Sequence, residues 1–274
     1  MTASTARVAF VTGASSGIGA AVALELARRG FDLVLAARRL ERLREVARAA
    51  HGLGRRALEV GCDVTRDGDL EAAVKLARQE LGRVDVVVAN AGFGVASPLR
   101  KLSLDDYRRQ LETNVFGVLR TVYATLDDLA ASRGCLAIIG SVSGFVALPG
   151  TSPYSMSKAA VHALAGSLWY ELAPLGISVT LVAPGFVDSD IRRVDNHGAL
   201  HPDAREPIPG WLRMRTDVAA SKIVTATLKR RRELVFTFHG KLGVALARHT
   251  PGLLAFLVRR FGIRSRREPR VPQL

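Results

Sequence analysis

Short, nearly unbroken apolar runs recur along this chain, at residues 7–11, 32–36, 57–60, 84–89, 135–139, 178–183 and 234–238. Runs of that length and continuity suit β-strands buried on both faces. The stretches between them carry helical periodicity: up to Arg29, where Gly30 closes the pattern, onward from Arg39 to about His51, and over 67–81, 104–131, 154–172 and 217–231. Alternating strands and helices imply parallel strands joined by crossover helices, hence an α/β chain with a doubly wound sheet. Such sheets hold their ligands at the carboxyl ends of the strands. The polar residues that follow each apolar run are therefore the candidates for chemistry.

The first run leads directly into Thr12-Gly13-Ala14-Ser15-Ser16-Gly17-Ile18-Gly19 and a helix. Glycines let the backbone approach a pyrophosphate closely, and a helix N-terminus offers unpaired N–H groups and a positive dipole end. The spacing is Gly-x-x-x-Gly-x-Gly and not Gly-x-Gly-x-x-Gly; its place at the first strand-to-helix junction marks it as a phosphate cradle. The second run ends in Ala37-Arg38-Arg39, with no carboxylate for a ribose 2′-hydroxyl. Arg38 and Arg39 there suit a 2′-phosphate, and so NADP over NAD. Asp63 and Asn90 follow the next two runs, within reach of the same ligand. Asn114 sits amid Leu111, Val115, Val118, Leu119 and Val122, and a polar group in that company needs a partner.

After the fifth run, Gly140-Ser141-Val142-Ser143-Gly144 invites comparison with a nucleophile elbow, but the position that must be Ser is Val142. Tyr154 and Lys158 stand four residues apart where a helix opens, so phenol and ammonium share one face. A cation beside a phenol favours the phenolate. It brings a group that ordinarily titrates near about 10 toward use as an acid or base near neutral pH. The helix that follows is rich in small residues, among them Ala159, Ala163 and Gly166, which permits close packing against a second subunit. The sixth run ends in Pro184-Gly185-Phe186-Val187-Asp188-Ser189, again at the ligand edge.

Composition narrows the classes. At 274 residues, 48% hydrophobic and 23% charged, the chain has the make-up of an ordinary soluble protein of one domain. Its 39 Lys and Arg against 25 Asp and Glu give a net charge of +14, which attracts nucleic acid, anionic lipid or a phosphorylated cofactor. No stacking aromatics accompany the arginines, so nucleic acid is not expected as a partner. Cys62 and Cys135 lie beside apolar runs, as buried small hydrophobes of a reducing compartment. The first residues carry no secretory pattern, and a cytoplasmic location is expected.

In this order and at these spacings, the residues from about 7 to 235 resemble the short-chain dehydrogenase/reductase family. The resemblance implies a Rossmann-type sheet of about seven strands, an NAD or NADP cofactor, and hydride transfer between nicotinamide and a carbonyl or alcohol carbon. It implies a tetrad of Asn114, Ser141, Tyr154 and Lys158. Tyr154 is its acid in reduction and base in oxidation, and Lys158 lowers the Tyr154 pKa and holds the nicotinamide ribose. Ser141 bonds the carbonyl oxygen, and Asn114 holds a water between Lys158 and solvent. It also implies cofactor contacts from Gly13, Ser15, Ser16, Gly17, Ile18 and Gly19, from Asp63 and Val64 at the adenine, from Asn90, Ala91 and Gly92, and from Pro184, Gly185, Val187 and Ser189 at the nicotinamide end. Arg38-Arg39 is similar to the pair in NADP-preferring members. Ala89 stands where many members carry Asn, and Ser189 where Thr is usual.

Residues 186–216 lose regular patterning and resemble the family's substrate lid, with Ile191, Leu200, Ile208, Trp211, Leu212 and Met214 among three prolines. An apolar lid near Phe93, Phe145 and Leu148 predicts a hydrophobic alcohol or carbonyl substrate, such as a steroid, retinoid or fatty compound. Ser141, Phe145, Tyr154, Phe186 and Trp211 are the expected substrate contacts. His197 and His201 have the spacing of helical metal ligands, yet Gly198 and the prolines predict a loop, and no metal is expected. Beyond a catalytic domain over 1–238, residues 239–274 form a basic, partly apolar extension. Its charge-free run over 250–258 is too short to span a bilayer. It predicts either a basic amphipathic segment on an anionic membrane or a helix packed over the substrate pocket or a neighbouring subunit, and the second is the reading adopted. A homodimer or homotetramer is expected. Rival functions are dehydration or epimerisation at the same site, or a dinucleotide-binding regulator without turnover, which would be expected to have lost tetrad residues.

Overall fold

The structure, a computed structural model, describes residues 6–189, 191, 201, 203, 206 and 208–261. The apolar runs become strands β1 (Val8–Thr12), β2 (Asp32–Ala37), β3 (Ala57–Gly61), β4 (Val84–Ala89), β5 (Cys135–Ile139), β6 (Ser178–Pro184) and β7 (Glu233–Phe236). They form one seven-stranded sheet in the order β3-β2-β1-β4-β5-β6-β7, every pair parallel. Helices α1 (Gly17–Arg28), α2 (Leu40–Gly52), α3 (Asp69–Glu80), α4 (Leu104–Leu111), α5 (Gly117–Ser132), α6 (Ser152–Glu171) and α7 (Thr216–Leu228) lie between strands, and α8 (Phe238–His249) and α9 (Pro251–Phe261) follow the last one. Every residue of β1, β2 and β5 is buried, which is why these runs are apolar without alternation. Successive side chains still point to opposite faces. Ala9 and Val11 join Leu26, Leu33 and Ile223 in the layer under α1, α2 and α7, while Phe10 joins Leu70, Leu129 and Ile138 under α3, α5 and α6.

The chain winds outward from β1 to β3, then returns to lay β4 on the other side of β1. The crevice at the carboxyl ends of these two strands is the switch point where such sheets bind ligands. Thr12, the last residue of β1, ties the two strands together there. Its hydroxyl donates to the Val88 carbonyl and accepts from the N–H groups of Asn90 (3.0 Å) and Ala91 (3.1 Å).

Three expectations change. The stretch over 104–131 is not one α-helix, because Glu112–Phe116 forms a π-helical turn between α4 and α5. Helix α6 begins at Ser152, so Tyr154 lies within its first turn instead of opening it. The tail breaks at Thr250 into α8 and α9, with Pro251 opening the second. No helix among the described residues is long and apolar enough to cross a membrane. His197, Leu200 and the arginines at 264, 266, 267 and 270 lie outside the described residues. Among those described, His201 is exposed and no group of three or more His, Cys, Asp or Glu could hold a metal ion.

Candidate active site

The glycine turn is built by close approach. Gly13 and Gly17 have φ of +65° and +54°, the left-handed region that glycine alone adopts at little cost. The Asn90 side chain fills the space a Cβ would take: a methyl on Gly13 or Gly19 would lie 2.8 or 2.5 Å from its Nδ2. That amide donates to the carbonyls of Thr12 (3.0 Å) and Gly13 (3.3 Å), so Asn90 buttresses the turn. Ser189, at the far end of the site in sequence, sits over Gly17, with its Cβ 3.2 Å from where a Gly17 Cβ would stand. Helix α1 starts here with no side-chain cap and no acidic residue in its first turn, leaving N–H groups to receive an anion. A cradle without side chains at a helix N-terminus fits the pyrophosphate of a dinucleotide.

The arginines flank that cradle. Arg39 donates to Ser15 Oγ (3.1 Å) and Ser16 Oγ (2.6 Å). Arg38 is 69% exposed and 4.0 Å from the Asp63 carboxylate. Burial works against the Asp63 charge, but the N–H and hydroxyl of Thr65, with Arg38 and Arg66, outweigh it and hold the pKa below the usual carboxylate value. Val64 turns its side chain into the core, where a Cβ on Gly117 would lie 2.6 Å from it. Ile18 and Ala91 pack against the two core layers. A Cβ on Gly92 would fall 2.9 Å from Asn114 Oδ1.

Around the tyrosine, α6 supplies Tyr154, Ser157, Lys158 and His162. Lys158 is 5% exposed, and its ammonium donates to the Ile139 carbonyl at 2.8 Å and stands 5.7 Å from the Tyr154 ring centroid. Burial brings its pKa from 10.5 down to about 8. Among the described residues no carboxylate pairs with it. The Tyr154 ring lies against Gly94, where a Cβ would be 3.5 Å away. Ser141 Oγ accepts from the Ser143 N–H at 3.1 Å, and the Ser141 N–H donates to His162 Nε2 at 3.4 Å. His162 is wedged between Gly140 and Gly144, whose added Cβ atoms would lie 2.5 and 2.4 Å from the ring. Phe145 covers it, with centroids 4.3 Å apart. Burial, then the charges of Lys158 and Arg248, push the His162 pKa down to about 4. The ring is thus neutral near pH 7 and, accepting through Nε2, carries its proton on Nδ1.

Asn114 is fully buried in the π-helical turn. Its amide donates to Phe93 O (3.0 Å) and Ser157 Oγ (3.0 Å), and its Oδ1 accepts from Phe93 N (3.1 Å). Ser157 Oγ in turn donates to Tyr154 O at 2.8 Å. The Asn114 side chain thus locks the Phe93 loop to the tyrosine's own helix. Gln110 completes the clamp, donating to Phe93 O (2.8 Å) and accepting from Val95 N (2.6 Å).

The far wall comes from the residues just after β6, those just before α7, and α8. Val187 is buried and bridged to Met214, and Asp188 pairs with Arg213. Gly185 admits the start of α8: a Cβ there would stand 2.3 Å from Thr237 Oγ1, next to the buried end of β6 at Pro184. Phe186 donates its N–H to His239 Nε2 (3.2 Å) and stacks on that ring, and Arg248 lies over Phe145 at 4.8 Å. Trp211, expected at the substrate, is 82% exposed on the turn Gly210–Leu212 and is not brought to these side chains.

Residues 7–199 match the family profile described as short chain dehydrogenase, and the chain belongs to that family. An oxidoreductase of Staphylococcus aureus strain MW2, itself uncharacterized, is 38% identical over 198 residues, covering 72% of this chain and 84% of that protein. A counterpart in Staphylococcus epidermidis is 36% identical over 193 residues, 70% of this chain and 83% of its own. Among solved structures, an alcohol dehydrogenase from the archaeon Thermococcus sibiricus, complexed with 5-hydroxy-NADP, superposes with a TM-score of 0.73 at 30% identity, covering 84% of this chain and 95% of that one. A short-chain type dehydrogenase/reductase from Mycobacterium marinum gives 0.64 at 35% identity, over 66% and 75%. The chain is thus an NAD(P)-dependent dehydrogenase/reductase with a Rossmann-like fold.

Gln110, His162 and His239 escape the sequence reading. Gln110 is four residues before Asn114, and His162 four after Lys158, so each shares a helical face with a residue already singled out. That spacing was the available signal.

Proposed function

We propose that this enzyme is an NADP-dependent oxidoreductase interconverting hydrophobic alcohols and carbonyls, with Asn114, Ser141, Tyr154 and Lys158 as its working group. The observation that carries the reading is the buried Lys158 ammonium, without a carboxylate partner among the described residues, beside the Tyr154 ring. An uncompensated cation in a low-dielectric setting stabilises a neighbouring phenolate far more than it would in water. The bound nicotinamide supplies or takes up the hydride. Tyr154 gives its proton to the substrate oxygen in reduction and removes it in oxidation. Ser141 Oγ already accepts from Ser143 and so has its own proton to offer the same oxygen. Asn114 holds the Phe93 loop and the Tyr154 turn in register, beside the path by which a water links Lys158 to solvent.

Arg38 and Arg39 support a cofactor with a 2′-phosphate, as does the likeness to an alcohol dehydrogenase complexed with 5-hydroxy-NADP. Phe145 and Phe186, each held by α8, support an apolar substrate. The catalytic unit is residues 1–238 with the lid at 186–216, working in the cytoplasm as a homodimer or homotetramer. The test is a panel of hydrophobic aldehydes, ketones, hydroxysteroids and retinoids with each reduced cofactor. NADPH is expected to be preferred. In an R38S/R39S variant NADPH binds roughly 10- to 100-fold more weakly while NADH binding holds, as loss of charge-assisted hydrogen bonds requires. Equal weakening of both cofactors would remove the 2′-phosphate assignment.

A further inference from the structure

We propose that α8 and α9 form a docking surface for an anionic lipid bilayer. On α8, Phe238, Leu242 and Ala245 recur at helical spacing and are exposed, Phe238 by 84% and Leu242 by 51%. On α9, Leu253 and Phe256 are 48% and 60% exposed, about two turns and one turn before Arg260. The two helices are fixed to the body by the other side of α8, where Val244 is buried and Arg248 pairs with Glu233 at 2.6 Å. Helix α9 follows α8 across the single residue Thr250. Single exposed hydrophobes need no explanation; four large ones on two adjoining helices do.

The charge around them is of one sign. Lys241, Arg259 and Arg260 are exposed, and no Asp or Glu occurs from Phe238 to Phe261 in a chain that has 25 of them. Apolar side chains flanked by cations match a bilayer whose headgroups are anionic and whose interior is hydrocarbon. A symmetric second copy would set this face against itself, bringing like charges together. Nucleic acid would meet the charge and leave Leu242, Leu253 and Phe256 in water. Because α8 also holds Phe186 and Phe145, the docked face adjoins the wall of the candidate site.

The test is flotation of the full chain with vesicles of phosphatidylcholine alone or mixed with phosphatidylserine, at low and high salt. The chain is expected to float with the mixed vesicles about tenfold or more tightly than with the neutral ones, and to be released by salt. An R259S/R260S variant weakens binding roughly 30-fold, about fivefold per cation. An L253S/F256S variant weakens it about tenfold or more. A control pair on exposed positions of α2 and α3, R48S/K75S, changes it less than about twofold, since charges beyond a Debye length of the surface are screened. Unchanged thermal unfolding verifies that the variants fold. Absence of flotation, or equal loss in the control pair, overturns the proposal. So does sedimentation velocity in which L253S/F256S dissociates an oligomer, for then a second copy covers this face.

Discussion

Lys158 holds a charge where burial opposes one, and the consequence can be read as stability. Its pKa falls from 10.5 to about 8 on folding, so between those values the unfolded chain holds a proton the folded chain lacks. Stability contributed by this group therefore rises with pH across that window, and at pH 7 the buried cation costs stability. Lys158→Met is expected to abolish turnover yet stabilise the fold at pH 7 by roughly 1–3 kcal/mol, the two proteins converging as the pH approaches 10. Denaturant titrations at both pH values check this. His162 acts on Ser141 through the peptide N–H it accepts. His162→Leu leaves that donor unsatisfied and is expected to lower kcat about tenfold with cofactor affinity unchanged, whereas His162→Gln, which keeps an acceptor, stays within about threefold. With a folded pKa of about 4 against an ordinary 6.5, His162 also costs stability as the pH falls from 6.5 to 4. The Gln variant should flatten the wild-type loss of stability in that range. Tyr154 and Lys158 were legible because their spacing puts phenol and ammonium on one helix face and the other motifs of the chain fall in order around them. His162 and Gln110 were not, since a buried polar residue with a partner looks in sequence like any polar residue beside an apolar stripe.

Helices and strands differ in how plainly the chain announces them. The strands were legible to within a residue or two because burial on both faces leaves no room for polar residues. The π-helical turn at Glu112–Phe116 was not, because Leu111, Val115, Val118 and Val122 read in sequence as one unbroken helical stripe. Its consequence is local: the turn carries Asn114 inward so that one amide reaches both Phe93 and Ser157. The extension reads ambiguously for a different reason. Cations at Lys241, Arg248 and Arg259 interrupt its apolar residues, and contacts such as those of Arg248 with Phe145 and of His239 with Phe186 place α8 as a wall of the candidate site. Gly185 is where that wall is tightest. Gly185→Ala would drive a methyl to 2.3 Å from Thr237 Oγ1, and a loss of about 1–3 kcal/mol is expected, seen as a lowered Tm. An unchanged Tm would mean that α8 is held elsewhere.

The whole molecule places its chemistry by topology. Glycine turn, Arg38, Asp63, Asn90, Ser141 and Ser189 all follow strands, so a single doubly wound sheet collects residues spread over most of the chain at one edge. That is why the candidate site is legible in the sequence while the substrate is not: the stretch after β6 and helix α8 follow no strand-end rule. The net charge of +14 is likewise a property of the whole, with the arginines at β2 and the basic face of α8 and α9 as the places where it meets named chemistry. The central claim, that Tyr154 moves the proton beside a buried Lys158, is tested most directly by turnover of wild type and Tyr154→Phe with NADPH and a hydrophobic carbonyl accepted by the wild type. The account predicts a kcat lower by about 100- to 10,000-fold, with NADPH affinity within about threefold. Turnover of the Phe variant at close to the wild-type rate would contradict it.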